Sequence, residues 1–296
     1  MDNNPSKSRL IIYLGIILAV ILAGFQLLFS NPPNSADTTI HIGAGRSLRD
    51  LTLEFKEKNI IRQPAILQSL VILLKNDRQI PIGDYYFKKG TSVWRVAIML
   101  AMGIHNVNPI KTTFPEGVSN QNIADILEKK IPNFNQASFL EKIKDKQGYL
   151  FPDTYFFFPL TTEEEIISAL SNNFTHKISL IESEIKNLQY SLSQIIIMAS
   201  IVEGEADGSG DAPIISGILW KRLENGMPLQ VDVAKETYIQ KGLPDKPINN
   251  PGLVAIKATI NPITSKYLYY LHDKNGSIHY AVTYAEHQRN IAKYLK

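Results

Sequence analysis

The chain of 296 residues has no cysteine, which excludes disulfides, thiolate nucleophiles, iron–sulfur clusters and Cys-ligated zinc together. It has little net charge: 31 Lys and Arg against 28 Asp and Glu leave a formal +3. A nucleic-acid-binding domain would carry a strongly basic, clustered face, so no nucleic acid is expected as a partner. The 6 histidines are scattered, with no H-E-x-x-H pair, which argues against a zinc site, so no metal is expected. Internal repeats and low-complexity tracts are also missing. What the chain has is 44% hydrophobic residues, ordinary globular stock for roughly two domains of about 100–200 residues.

There is one long apolar run. Leu10 to Phe29 (LIIYLGIILAVILAGFQLLF) carries no charge, and a helix of that length, rising about 1.5 Å per residue, spans roughly 30 Å of hydrocarbon. A transmembrane helix over 10–29 is expected. Lys7 and Arg9 precede it, and no Lys or Arg follows until Arg46. The positive-inside rule therefore puts residues 1–9 in the cytoplasm as a tail and the remainder outside the plasma (inner) membrane. A cleaved signal peptide has a shorter apolar core of about 7–15 residues and a small-residue cleavage site that is not clear here, so the anchor is read as uncleaved and single-pass. Residues 30–38, with Pro32, Pro33 and Asn34, read as a short linker.

Beyond the linker the expected class is α+β. Ile40 onward alternates as a strand, and Leu48, Leu51 and Phe55 fall on one helical face. AILQSLVILL (Ala65 to Leu74) and VWRVAIMLAMG (Val93 to Gly103) read as helices, with IGDYYF as a strand between them. The KNDR and KKG charges in this block read as solvated turns. A small α+β module over 39–108 follows, and from 109 to 296 a larger mixed α/β domain. In the latter, Pro115 and Gly117 mark a turn, and Ser119 is the expected N-cap of a helix with Ile123, Ile126 and Leu127 on one face. GYLFPDTYFFFPL is unusually aromatic; such rings either stack on sugars or pack a core beside the Pro152-Asp153 turn. Thr161 to Asn187 read as scaffold helices.

The segment able to do chemistry is SQIIIMASIVEGEADGSGD. An apolar helix from Leu192 to Val202 runs into Glu203 and then into Gly204, Glu205 and Asp207. On a 3.6-residue period Ile196, Ala199, Ser200 and Glu203 share a face. Apolar surroundings there favour the neutral acid, and raising a glutamic acid by about two units above its reference of about 4.3 needs only about 2.7 kcal/mol. Glu203 is thus a candidate general acid. The bland alternative is a solvated Glu at a helix end, and Glu205 and Asp207 are expected to be solvated loop charges.

ASIVEGEAD, GILWKRLENGMPLQVD, ETYIQKGLPDKPINNPG and AIKATINPITSKYLYYLHDKNGSIHYAVTYAEH, in that order, resemble the catalytic domain of the MltG-type (YceG-like) endolytic murein transglycosylases. GYLFPDTY and FPEGVSNQNIADIL fit the same family, as does the anchor, and the module over 39–108 resembles its LysM-like subdomain. The resemblance implies that Glu203 is the catalytic acid/base. It further implies substrate-binding positions at Asp153, Gln230, Asp232, Thr237, Tyr238, Asn261, His279, Glu286 and His287, with Asn250-Pro251-Gly252 as another matching motif. Pro, Gly and Asn motifs also fix turns, so each position has a structural alternative.

The activity so implied is cleavage of the MurNAc–GlcNAc bond of nascent peptidoglycan, leaving 1,6-anhydro-MurNAc ends, by an enzyme that needs no cofactor. Peptidoglycan strands and cell-wall synthases are the implied partners. Four departures stand out: Gly204 in place of a basic residue, Lys221 in place of Asn, Gln147 in place of an acid, and a segment between Asp232 and Thr237 of only VAKE, which shortens one loop. Two alternatives stay open: a glycan-binding scaffold that has lost turnover, and a hydrolase pairing Glu203 with Asp232.

Overall fold

The computed structural model describes residues 5–29, 36–74, 79–206 and 210–295. Residues 1–4 of the expected tail, 30–35 of the expected linker, the KNDR turn at 75–78 and Asp207 lie outside the described residues. The apolar run forms α1 (Pro5–Phe29). Between Ile12 and Phe25 its side chains are apolar on every side and exposed, Val20 at 66%. Among the described residues no helix is long and apolar enough to cross a membrane.

The chain divides into two compact units, Met1–Pro109 with Phe158–Thr161, and Ile110–Phe157 with Thr162–Lys296. In the first, β1 (Thr38–Ile42) is followed by α2 (Leu48–Glu57), α3 (Pro64–Leu74), β2 (Gly83–Phe87) and α4 (Val93–Met102). The two strands are antiparallel, with Thr38 opposite Phe87 and Ile42 opposite Gly83. Ser47 and Ser92 start α2 and α4 by accepting the Asp50 and Arg95 N–H groups. Leu51 and Phe55, as their spacing predicts, are fully buried with Leu67, Val71, Tyr85, Val96 and Leu100. Asp84 is buried too; its carboxylate faces His41 Nδ1 at 2.6 Å and accepts the Leu160 N–H at 2.7 Å. That second bond ties 158–161 to this unit.

In the second unit β3 (Ile110–Thr113) pairs antiparallel with β4 (Thr154–Phe157), around α5 (Asn120–Lys130) and α6 (Gln136–Ile143). Phe151 and Phe157 are buried, whereas Phe156 is 63% exposed, so the aromatic segment alternates between packing and exposure as a strand does. After α7 (Glu163–Ser179) and α8 (Glu182–Lys186) comes α9 (Leu192–Glu205). A capping box between Ser191 and Gln194 starts α9, and every residue from Ile195 to Val202 is buried. A helix apolar all round belongs at a centre, and α9 is packed by α10 (Ala212–Glu224) and α11 (Leu253–Ile260). The hairpin β5 (Tyr269–His272) and β6 (Ile278–Ala281) and the terminal α12 (Tyr284–Tyr294) complete the unit.

One buried side chain joins three segments distant in sequence. Asn250 is fully buried. Its Oδ1 accepts the Gly148 and Leu150 N–H groups at 2.8 and 3.1 Å, and its Nδ2 donates to Val118 O and Asn120 Oδ1 at 2.9 and 3.1 Å. Its backbone bonds to the same turn: the Gly117 N–H donates to Asn250 O, and the Asn250 N–H to Val118 O. Removing the amide strands several buried groups, each costing about 1–3 kcal/mol. Asn250→Ala is therefore expected to destabilise the second unit by about 2–4 kcal/mol, read by urea unfolding of Trp220 fluorescence in a Trp94→Phe background; a loss below about 1 kcal/mol contradicts this role.

Candidate active site

Glu203 lies in the last turn of α9, half-buried, where the apolar helix gives way to loop. Its Oε2 accepts the Gly252 N–H at 2.9 Å. Across from it is the turn Pro115-Glu116-Gly117. Gly117, at φ 73°, lies so close that an added Cβ would stand 3.2 Å from Glu203 Cγ, and a Cβ on Gly252 would overlap the Glu116 carboxyl. Two carboxyl groups thus converge on the Gly252 residue, from the end of α9 and from the turn before α5. Burial raises the Glu203 pKa above the ordinary glutamate value; the Gly252 N–H opposes this and the charge of Glu116 reinforces it. Ser200, expected on the same face, is fully buried, donating to Ile197 O at 2.7 Å and accepting the Ile248 N–H at 3.1 Å.

Glu205 corrects the expectation of a solvated charge. Two residues further along the helix it projects about 200° round from Glu203, and it is half-buried. Tyr270 donates to its Oε2 at 2.9 Å. Its pKa too is raised, by burial first and by the neighbouring Asp232 charge, with the Tyr270 hydroxyl opposing. Glu205, and not Glu203, lines a cavity of about 490 Å³ with Arg222, Asp232, Tyr238, Tyr269 and His287. Arg222 is only 5% exposed, donates through Nε to Leu268 O at 2.7 Å, and lies 4.9 Å from the Tyr269 ring centre.

The positions implied by the resemblance therefore separate. Gln230, Asp232, Tyr238 and His287 line the Glu205 cavity, where Tyr238 donates to Asp232 at 2.8 Å and is pushed up to about 12 by that bond and by burial. Thr237 is buried and bonds only within its own loop, to Ala234 O and the Val231 N–H. Glu286 caps α12 with Thr283. Asp153 faces Asn173 and Lys177, Asn261 donates to Glu184, and His279 pairs with Asp273 and stacks on Tyr294. None of these side chains contacts Glu203 among the described interactions. Sequence reasoning assigned no chemistry to Glu116 or Glu205. The signals were there: a Glu at the tip of a Pro-Gly turn, and an E-x-E pair whose members must face opposite sides of a helix end.

The family departures have local causes. A Cβ at Gly204 would lie 2.9 Å from Val233 Cγ1, so the glycine and the short VAKE loop fit each other. Gln147 donates to Pro247 O and Ile248 O at 3.2 and 2.8 Å and accepts the Asn120 N–H; a carboxylate could make only the last of these bonds. Lys221 donates to Ser265 O at 3.1 Å.

A carboxyl whose pKa is raised by folding binds its proton more tightly in the native state, so its contribution to stability is present below the unfolded value and lost as pH rises through the folded one. Glu203→Gln is expected to leave the urea midpoint near pH 4 little changed and to raise it at pH 8. A lower midpoint at pH 8 would show that the ionised carboxylate is welcome where it sits.

The model of the YceG-like family matches residues 40–235 and 236–293. The endolytic murein transglycosylase of Bacillus subtilis is 26% identical over 330 residues, covering 95% of this chain and 91% of its own. The protein of the same name from Streptococcus pneumoniae is 25% identical over 354 residues, with 96% of this chain covered and only 64% of the relative. The crystal structure of a YceG-like protein of Listeria monocytogenes matches at a TM-score of 0.57 and 25% identity, over 86% of this chain and 99% of that one. Matched along most of its length by the family and alike in fold to a solved member, the chain belongs to the YceG-like family.

Proposed function

We propose that the protein is a peptidoglycan-cleaving endolytic transglycosylase whose acid/base is Glu203. The observation that carries this is the setting of that carboxyl: half-buried, pushed toward its neutral form by burial and by Glu116, and aimed by a single backbone N–H. A general acid must hold its proton near neutrality. Glu203 delivers that proton to the oxygen between N-acetylmuramic acid and N-acetylglucosamine as the bond breaks. The glutamate so ionised takes the proton of the muramyl 6-hydroxyl, whose oxygen closes the 1,6-anhydro ring. Because the nucleophile is already on the sugar, no water has to be positioned and the entropic advantage is intramolecular. The names of the Bacillus and Streptococcus relatives support the substrate.

Asp232 acts on Glu205 and accepts from Tyr238, whereas the carboxylate acting on Glu203 is that of Glu116, which supports the transglycosylase reading over a hydrolase pairing Glu203 with Asp232. Glu116 lies exposed on the turn beside Glu203.

Membrane attachment belongs to the same proposal. The exposed, all-round apolar surface of α1 between Ile12 and Phe25 supports insertion into a lipid layer, and the Lys7 and Arg9 bias supports a cytoplasmic N-terminus at the plasma membrane. A LysM-like role for 39–108 is supported by its strand–helix–helix–strand order. A cutter tethered there meets strands as cell-wall synthases extend them.

Incubated with purified peptidoglycan strands, the protein is expected to make internal cuts ending in 1,6-anhydro-muramyl residues by mass spectrometry. Glu203→Gln is expected to lower the rate about 10²–10⁴-fold. Reducing ends, or undiminished cutting by the variant, would overturn the assignment.

A further inference from the structure

Glu205 and its partners take part in no step above, although a carboxyl at that place is costly. The C-terminal end of a helix carries partial negative charge, and α9 ends on two acids with no basic residue in its last turn. Burial and the Asp232 charge disfavour the ionised form of Glu205 further. Ionisable groups kept against such costs concentrate at functional sites. Here the carboxyl joins three segments: its Oε2 accepts the Tyr270 hydroxyl of β5 at 2.9 Å, and its Oε1 meets the Val233 N–H of the VAKE loop at 3.5 Å.

The turn so held is the one that carries Glu203. The buried run of α9 stops at Val202, and the last carbonyls of a helix have no partner within it. The C-cap Ala206 is already extended, at ψ 119°, and closes the helix with a bond from its N–H to Val202 O. Helix ends of this kind fray. Side chains hold this one on three sides: Glu203 through the Gly252 N–H, Gly204 through its close approach to Val233, and Glu205 through Tyr270. Burial and the Glu205 charge push the Tyr270 pKa well above its ordinary value, so the hydroxyl stays a donor far above neutral pH.

We propose that Glu205 is a positioning residue: with Tyr270 it pins the last turn of α9, so that the Glu203 carboxyl stays on the Gly252 N–H. In this role it neither contacts the reacting atoms nor transfers a proton, and it projects about 200° round the helix from Glu203. A misplacement of about 1 Å at a reacting group lowers a rate about 10²-fold, so a loosened helix end is felt in turnover and not in the binding of the strand. The link to turnover rests on the proposed function; the pin on the carboxyl does not.

The test follows two amides of the full chain in detergent micelles, with glycine nitrogens labelled. The Gly252 N–H reports its bond to Glu203, and the Gly148 N–H, held by Asn250, reports the surrounding fold. Tyr270→Phe removes a hydroxyl that bonds to Glu205 and to neither amide. It is expected to shift the Gly252 signal and speed its exchange with solvent while Gly148 stays. An unmoved Gly252 would show that nothing is pinned, and both amides moving together would show general loosening; either overturns the role. In strand cleavage, Tyr270→Phe and Glu205→Gln are each expected to lower kcat about 10–100-fold with KM little changed. Because the two act through one bond, the double variant is expected to be no slower than the slower single one. Losses that multiply, or a raised KM at unchanged kcat, overturn the role as well. The proposed catalysis fails separately: a native protein that makes no anhydro ends, while Gly252 responds to Tyr270→Phe, keeps the pin and loses the reaction.

Discussion

The amide of Asn250 fixes how far the turn carrying Glu116 stands from the backbone that holds Glu203. Its oxygen and nitrogen together engage Gly148, Leu150, Val118 and Asn120, so the turn, the start of the aromatic segment and the segment entering α11 move as one body. Two residues later, Gly252 gives its N–H to Glu203 and leaves room, by lacking a Cβ, for the Glu116 carboxyl. The chemistry depends on this arrangement. Burial at the end of an apolar helix favours the neutral acid, and a second carboxylate held beside it adds to that effect. The buried amide costs little because every one of its groups is satisfied.

Much of the fold was legible because its signals are local. Ser119, the expected N-cap, begins α5 by accepting an N–H three residues on, and Leu48, Leu51 and Phe55 fall on one buried face by spacing alone. The depth of α9 was legible from its unbroken apolar run. Long-range pairing was not. Nothing in the sequence says that Asn250 meets Gly148 across about one hundred positions, because an Asn in a Pro-Gly context equally well makes a local turn.

The site was half legible for a similar reason. Glu203 is marked by its place on a helix, but periodicity alone did not show that Glu205 is desolvated, since the groups that meet it, the Tyr270 hydroxyl and the Val233 N–H, come from 65 and 28 residues away. Of the positions implied by the resemblance, four line the Glu205 cavity and others cap helices or close loops. Thr237 and Glu286 are examples: the first bonds within its own loop and the second caps α12. The departures pair off in the same way, Gly204 with Val233 of the shortened loop.

The central claim is that Glu203 acts as the acid, held toward its neutral form by burial and further by the charge of Glu116. The pH dependence of strand cleavage by the native protein and by Glu116→Gln tests it most directly. An acid works only below its pKa, so the rate must fall on an alkaline limb; the Glu116 charge raises that pKa, so its removal must shift the limb to lower pH. A limb that stays where it is, or moves to higher pH, contradicts the account.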